Sequence, residues 1–214
     1  RDMGWAVLLV GLAALVVVVL WRRHALGRGP ALVDAPAGAG AGASTSALPL
    51  FLGPFRIREA HTSAGHMARA LLAEEHVTGE PVFIKWVPAQ PDDPVGRGML
   101  SVESKVLSVV SGPSLPVCLG TGVAAEGAWL ALRRIQGGNL ERRVADGGPL
   151  DLPGLRRLQA DLADALHRLH SAGWVHGDVK PANVLWIEHG PAACLIYLGL
   201  ATPSGEPRSK AAAF

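Results

Sequence analysis

The stretch His176-Gly177-Asp178-Val179-Lys180-Pro181-Ala182-Asn183-Val184-Leu185 places an aspartate, a lysine and an asparagine in one short polar loop that runs directly into apolar residues. Its flanks are readable. Upstream, Asp151 to Ser171 carries Leu152, Leu155, Leu158, Leu162, Leu166 and Leu169 at helical spacing, which predicts a helix capped by Asp151 and ended by Gly173. Downstream, Val184 to Ile187 and Cys194 to Tyr197 read as two short strands joined by a turn through Gly190-Pro191. The loop is therefore held between a helix end and a strand, where its polar side chains have fixed origins.

Working outward, Phe55-Arg56-Ile57-Arg58 alternates as a strand does, Ala68 to Ala73 is a second candidate, and Pro81-Val82-Phe83-Ile84-Lys85-Trp86-Val87 is a third after the turn Thr78-Gly79-Glu80. Met99 to Val110 places Leu100, Glu103, Val106, Leu107 and Val110 on one helical face before the breaker Ser111-Gly112-Pro113. Strands resume at Val117 to Gly122 and Ala128 to Leu132. No internal repeat is present.

In the ten-residue loop and in the order of elements around it, the chain from about Phe55 to Ala201 resembles the serine/threonine protein kinases. The resemblance implies an α+β, two-lobed protein-kinase-like fold, with a complete small lobe at 51–132, a truncated large lobe at 133–201 and a truncated tail at 202–214. It also implies roles. Asp178 would accept or orient the proton of the substrate hydroxyl, and Asn183, five residues on, would bind magnesium. Lys180 matches the residue that supports the transferring phosphate in the serine/threonine branch. Small-molecule phosphotransferases share the fold and commonly show His-Gly-Asp, but Lys180-Pro181 speaks for the protein kinases. Val82-Phe83-Ile84-Lys85 resembles the Val-Ala-Ile-Lys strand, so Lys85 would reach the α and β phosphates of ATP and pair with Glu103 on the first helix. Leu132 to Ile135 resembles the hinge, and Gln136-Gly137-Gly138-Asn139-Leu140 the step into the large lobe.

Three elements depart from the family pattern. Where a Gly-x-Gly-x-x-Gly cradle for phosphates is expected, Ser63-Ala64-Gly65-His66-Met67-Ala68 keeps only the middle glycine, Ser63 and Ala68 being small replacements. Gly177 stands where an arginine usually precedes the catalytic aspartate, and it offers no guanidinium to a phosphorylated activation loop. Leu195-Ile196-Tyr197-Leu198-Gly199-Leu200-Ala201 lines up with Leu-Ile-Asp-Phe-Gly-Leu-Ala, so Tyr197 replaces the metal-binding aspartate. A phenol with a pKa of about 10 is a poor ligand for magnesium, which takes hard, preferably anionic oxygen. The expectation is a recognisable ATP site with impaired transfer of the γ-phosphate to protein Ser/Thr. The alternative is a catalytically inactive pseudokinase scaffold or regulatory binding module, its protein partner unspecified. No Ala-Pro-Glu motif follows Ala201 and position 1 is not Met, which suggests a fragment.

The remaining segments bear on location. The 214 residues carry 20 basic and 18 acidic side chains, a net charge of +2 that gives no broad electrostatic footprint for nucleic acid. Cys118 and Cys194 lie far apart in apolar runs and read as buried free thiols in a reducing compartment. Residues 4–21 form an uncharged apolar run with Trp5 and Trp21 at its ends, expected to be a single transmembrane helix. Arg22, Arg23 and Arg28 follow it, which is the reverse of a secretory signal and places the kinase-like part in the cytoplasm. Residues 22–50, rich in Ala, Gly and Pro, read as a flexible tether.

Overall fold

In the computed structural model, which describes residues 48–61, 68–187 and 193–205, the alternating segments of the first half form a six-stranded antiparallel sheet. Its strands are β1 (Phe51–Leu52), β2 (Phe55–His61), β3 (Arg69–Glu75), β4 (Pro81–Pro88), β5 (Cys118–Ala124) and β6 (Gly127–Arg133), in the order β1-β2-β3-β4-β6-β5. Both faces of the central strands are buried. On β4, Val82, Ile84 and Trp86 pack with Phe55, Ile57, Leu71, Trp129 and Ala131. The intervening positions face the other way, so Val87 joins Leu130 and Leu132 of β6 in the main core. This two-residue alternation carries Lys85 to the main-core side of the sheet.

Helix α1 (Pro94–Val109) covers that side with Leu100, Val106 and Leu107. It begins five residues before the expected start at Met99. The Asp93 carboxylate caps it by accepting from the Gly96 N–H at 2.8 Å, with Pro94 in the first turn. The first turn carries no buried large apolar residue, so the periodic stripe is silent there.

A helix absent from the sequence reading, α2 (Leu140–Gly147), follows the short β7 (Gly138–Asn139). Helix α3 (Leu152–Ser171) has the expected Asp151 cap, which accepts from the Gly154 N–H at 2.9 Å. Its buried line corrects the expected leucine stripe. Leu152 and Leu155 are exposed, at 59% and 44%, while Gly154, Ala165 and Leu169 are buried and Leu158, Leu162 and Leu166 pack partly against the core. At Gly154 the helix start lies against Trp186, and a Cβ there would stand 2.8 Å from the capping Asp151 carboxylate oxygen.

Beyond α3 come β8 (Trp174–Val175), a 3-10 turn at Pro181–Asn183, β9 (Val184–Trp186), β10 (Ala193–Leu195), a 3-10 turn at Leu198–Leu200 and β11 (Thr202–Pro203). β10, β9 and β7 make one small sheet, β11 and β8 another. The expected strand Cys194 to Tyr197 is shorter than read, since pairing stops at Leu195 and Tyr197 takes a left-handed backbone. Among the described residues no helix is long and apolar enough to cross a membrane. The expected span at 4–21, most of the tether, Ser63 and Gly65 of the expected phosphate cradle, and residues 206–214 lie outside the described residues.

Candidate functional site

Glu103 interrupts the apolar face of α1, and a carboxylate there is costly unless it is paired. The partner is Lys85, brought to the same side of the sheet by the alternation of β4. Its Nζ donates to both carboxylate oxygens, at 2.7 Å to Oε1 and 2.6 Å to Oε2. Lys85 is 7% exposed and Glu103 3%, so the pair sits in a medium where each charge depends on the other. Glu103 has a third contact. Its Oε1 accepts from the Leu198 N–H at 3.3 Å, which ties α1 to the turn after Tyr197. That turn lies close against the helix, the Cβ position of Gly199 being 3.0 Å from the Met99 Cβ.

The loop Asp178 to Asn183 is organised by its own polar groups. The Asn183 side-chain nitrogen donates to the Asp178 carbonyl and to Asp178 Oδ2, both at 2.8 Å. The Asn183 backbone carbonyl accepts from the Ile196 N–H at 2.9 Å, so the loop is fixed to the strand-end that precedes Tyr197. Lys180 Nζ reaches Asp178 Oδ2 at 2.8 Å, with both side chains partly in water. Burial raises the pKa of Asp178, but hydrogen bonds from Lys180 and Asn183 outweigh it and hold the carboxyl below its ordinary value. Asp178 is thus an anion across the neutral range, as a group that accepts or orients a hydroxyl proton must be.

His176 anchors the loop from beneath. It is 1% exposed, its Nδ1 accepts from the Asp178 N–H at 3.2 Å, and its Nε2 lies 3.0 Å from the Ile196 carbonyl. Since Nδ1 accepts, the proton sits on Nε2 and the ring is neutral. Burial is the main reason its pKa lies below 6.5, only partly offset by the Ile196 carbonyl, Asp178 and Glu103. Between His176 and Asp178, Gly177 has φ +82°, and a Cβ there would stand 2.6 Å from the Leu200 carbonyl oxygen. Glycine is the residue this backbone accepts.

Tyr197 adopts φ 65° and ψ 63°, a region that asparagine and aspartate enter more readily than bulky residues. Its ring lies over the Lys85 ammonium, with Nζ 4.1 Å from the ring centroid. Magnesium does not fit this donor set. Asn183 supplies at most one neutral carboxamide oxygen, Tyr197 lays a ring rather than an anionic oxygen against Lys85, and among the described residues no group of three His, Cys, Asp or Glu could hold a metal ion.

The structure therefore brings Lys85, Glu103 and Tyr197 together, and separately Asp178, Lys180 and Asn183, with the Ile196 to Leu198 backbone joining the two groups. Ala68 is half-buried and packs against the main core. Arg133 of the expected hinge turns its side chain back to Glu80, at 2.8 Å. Sequence reasoning missed the ring over Lys85, the Leu198 N–H on Glu103, and the anchoring by His176. The histidine had a signal in its fixed place two residues before Asp178; the other two are contacts across 95 residues or more and leave no local trace.

A six-stranded antiparallel sheet carrying a lysine paired to a helix packed on it, joined to a loop presenting Asp, Lys and Asn, defines a domain of the protein kinase type. Residues 59–211 match the Protein kinase domain family. The chain is 34% identical over 144 residues to the serine/threonine-protein kinase AfsK of Streptomyces coelicolor, covering 67% of this chain and 18% of that protein. It is 31% identical over 153 residues to the probable serine/threonine-protein kinase PkwA of Thermomonospora curvata, covering 71% of this chain and 20% of that one. With the serine/threonine-protein kinase PknH of Mycobacterium tuberculosis it shares 26% over 167 residues, or 78% of this chain and 26% of the relative. The chain belongs to the serine/threonine protein kinase family. It spans about a fifth of the length of the first two of these relatives.

Proposed function

We propose that this domain is a membrane-anchored serine/threonine kinase homologue that keeps a nucleotide site around Lys85 and Glu103 but transfers phosphate to protein Ser/Thr poorly or not at all. The observation that carries this reading is the Tyr197 ring over Lys85 where the family has a metal-binding aspartate. Lys85 would hold the phosphates of ATP, Asp178 would orient the acceptor hydroxyl, and Lys180 would support the transferred group. Without an anionic metal ligand the developing charge of phosphoryl transfer lacks its chief stabiliser.

The direct test is a phosphotransfer assay on Tyr197→Asp, beside a thermal-shift titration with ATP, with and without magnesium. Restored transfer supports a kinase weakened at one position. An inert Tyr197→Asp protein with normal ATP binding would leave the second reading, a tethered docking scaffold. That reading is favoured by the Lys85 to Glu103 pair, which is fully formed by the chain itself. The anchor rests on the apolar run 4–21 and on Arg22, Arg23 and Arg28 after it. A reporter fused after Phe214 is expected in the cytoplasm; reporter activity on the outer side would refute that topology.

A further inference from the structure

We infer that Tyr197 is a built-in occupant of the phosphate-anchoring site, its ring closing the Lys85 ammonium to an incoming nucleoside triphosphate. The inference rests on the nucleotide-site reading above and adds how that site is closed. An ammonium has three N–H groups. Those of Lys85 meet the Glu103 carboxylate on one side, at 2.7 and 2.6 Å, and the π-face of Tyr197 on another, 4.1 Å from its centroid. With 7% of the residue exposed, and these two groups its contacts among the described residues, a phosphate oxygen reaches the charge by displacing one of them.

The two are not equally movable. Glu103 is 3% exposed, sits in the buried stripe of α1, and also accepts from the Leu198 N–H. Tyr197 is only half-buried and lies two residues beyond the end of β10, outside any ladder of strand pairing. Its backbone is in a conformation that bulky residues disfavour. The Tyr197 ring can leave Lys85 by rotation about its own side-chain bonds, whereas Glu103 cannot withdraw without also giving up the Leu198 N–H, so nucleotide binding competes with the cation–π contact. A desolvated contact of this kind is worth up to roughly 30-fold in an equilibrium. In the closed arrangement the ring faces Lys85 as a neutral, metal-free stand-in for an anion, and the ion pair stays assembled with no ligand.

The test is calorimetric titration of the full chain with ATP in the presence of EDTA, comparing the natural protein with Tyr197→Phe, Tyr197→Leu and Tyr197→Asn. Removing the ring is expected to tighten ATP binding by about 10- to 30-fold in the Leu and Asn variants. Asparagine suits the left-handed backbone, so it keeps the test open if leucine does not fold. Tyr197→Phe retains the π-face and should stay within about twofold of the natural protein. Adding Lys85→Met together with Glu103→Leu to a ring-less variant, so that no buried charge is stranded, should abolish the gain. Equal affinity in the natural and ring-less proteins, a gain in Tyr197→Phe as large as in Tyr197→Leu, or a gain that survives Lys85→Met with Glu103→Leu would each overturn the inference. The outcomes also separate it from the kinase reading. Transfer by Tyr197→Asp without tighter ATP binding in Tyr197→Leu keeps the weakened kinase and removes the closure. Tighter binding in Tyr197→Leu with an inert Tyr197→Asp keeps the closure and removes the weakened kinase.

Discussion

Replacing Glu103 by leucine should be far more damaging than replacing Glu103 and Lys85 together. The single change strands the Lys85 ammonium at 7% exposure, with the Tyr197 ring against it, and orphans the Leu198 N–H. Removing one partner of a buried ion pair costs about 3–5 kcal/mol, and an unsatisfied buried amide adds to this at about 1–3 kcal/mol. The loss is therefore at least about 3 kcal/mol, a large fraction of the stability of an ordinary domain. The double change Lys85→Met, Glu103→Leu removes both charges. Apolar replacement of a buried pair ranges from neutral to stabilising by about 1–4 kcal/mol, which offsets the amide and brings the double variant near the natural protein. Urea denaturation of all four proteins completes the cycle, with a coupling between the two sites of at least about 2 kcal/mol. A single-variant loss below about 1 kcal/mol, or additive losses, would refute the claim that the pair is buried and mutually dependent.

Gly177→Arg should lower the melting temperature by about 4–8 °C, the effect of roughly 2 kcal/mol in a domain of this size, because φ is +82° and the added Cβ meets the Leu200 carbonyl; an unchanged Tm in a differential scan would show that the loop re-routes freely. His176 has a folded pKa depressed below 6.5, so the unfolded chain binds more protons there as the pH falls. Its contribution is complete above about pH 6.5 and is lost below it, with a slope of up to about 1.4 kcal/mol per pH unit until the folded pKa is passed. Denaturation curves between pH 7 and 5 should show this slope in the natural chain and not in His176→Gln. Burial pushes the Cys194 thiol up to about 12 from 9.0, so at pH 8 its thiolate fraction falls about 1,000-fold. Iodoacetamide should spare it in the folded chain and modify it in guanidinium; rapid native labelling would contradict its burial.

How far the fold could be read from the sequence depended on whether a segment announced itself through local period or cap. β4 did, because its residues are apolar on both faces apart from Lys85, and so did the core of α1 and the length of α3. α2 did not: only Leu140 of its eight residues is buried, so no apolar stripe marks it, although Asn139 caps it by accepting from the Arg142 N–H at 2.7 Å. The leucines of α3 suggested one continuous face, but the first turn turns Gly154 inward and leaves Leu152 and Leu155 exposed, which leucine spacing alone does not reveal. In the site, Lys85 with Glu103 was readable because each charge breaks an apolar pattern at a recognisable place. The placement of Tyr197 was not, since alignment supplies a substitution without saying where the new side chain goes.

The two departures around the loop differ in whether they can be undone. The left-handed backbone at Tyr197 is one that aspartate tolerates, so a single substitution there finds a receptive main chain. At Gly177 the chain passes beneath the Leu200 carbonyl with no space for any side chain, and an arginine would need that segment to shift first. One change is a latch that lifts; the other is a ratchet, whose reversal has to wait for a second change elsewhere.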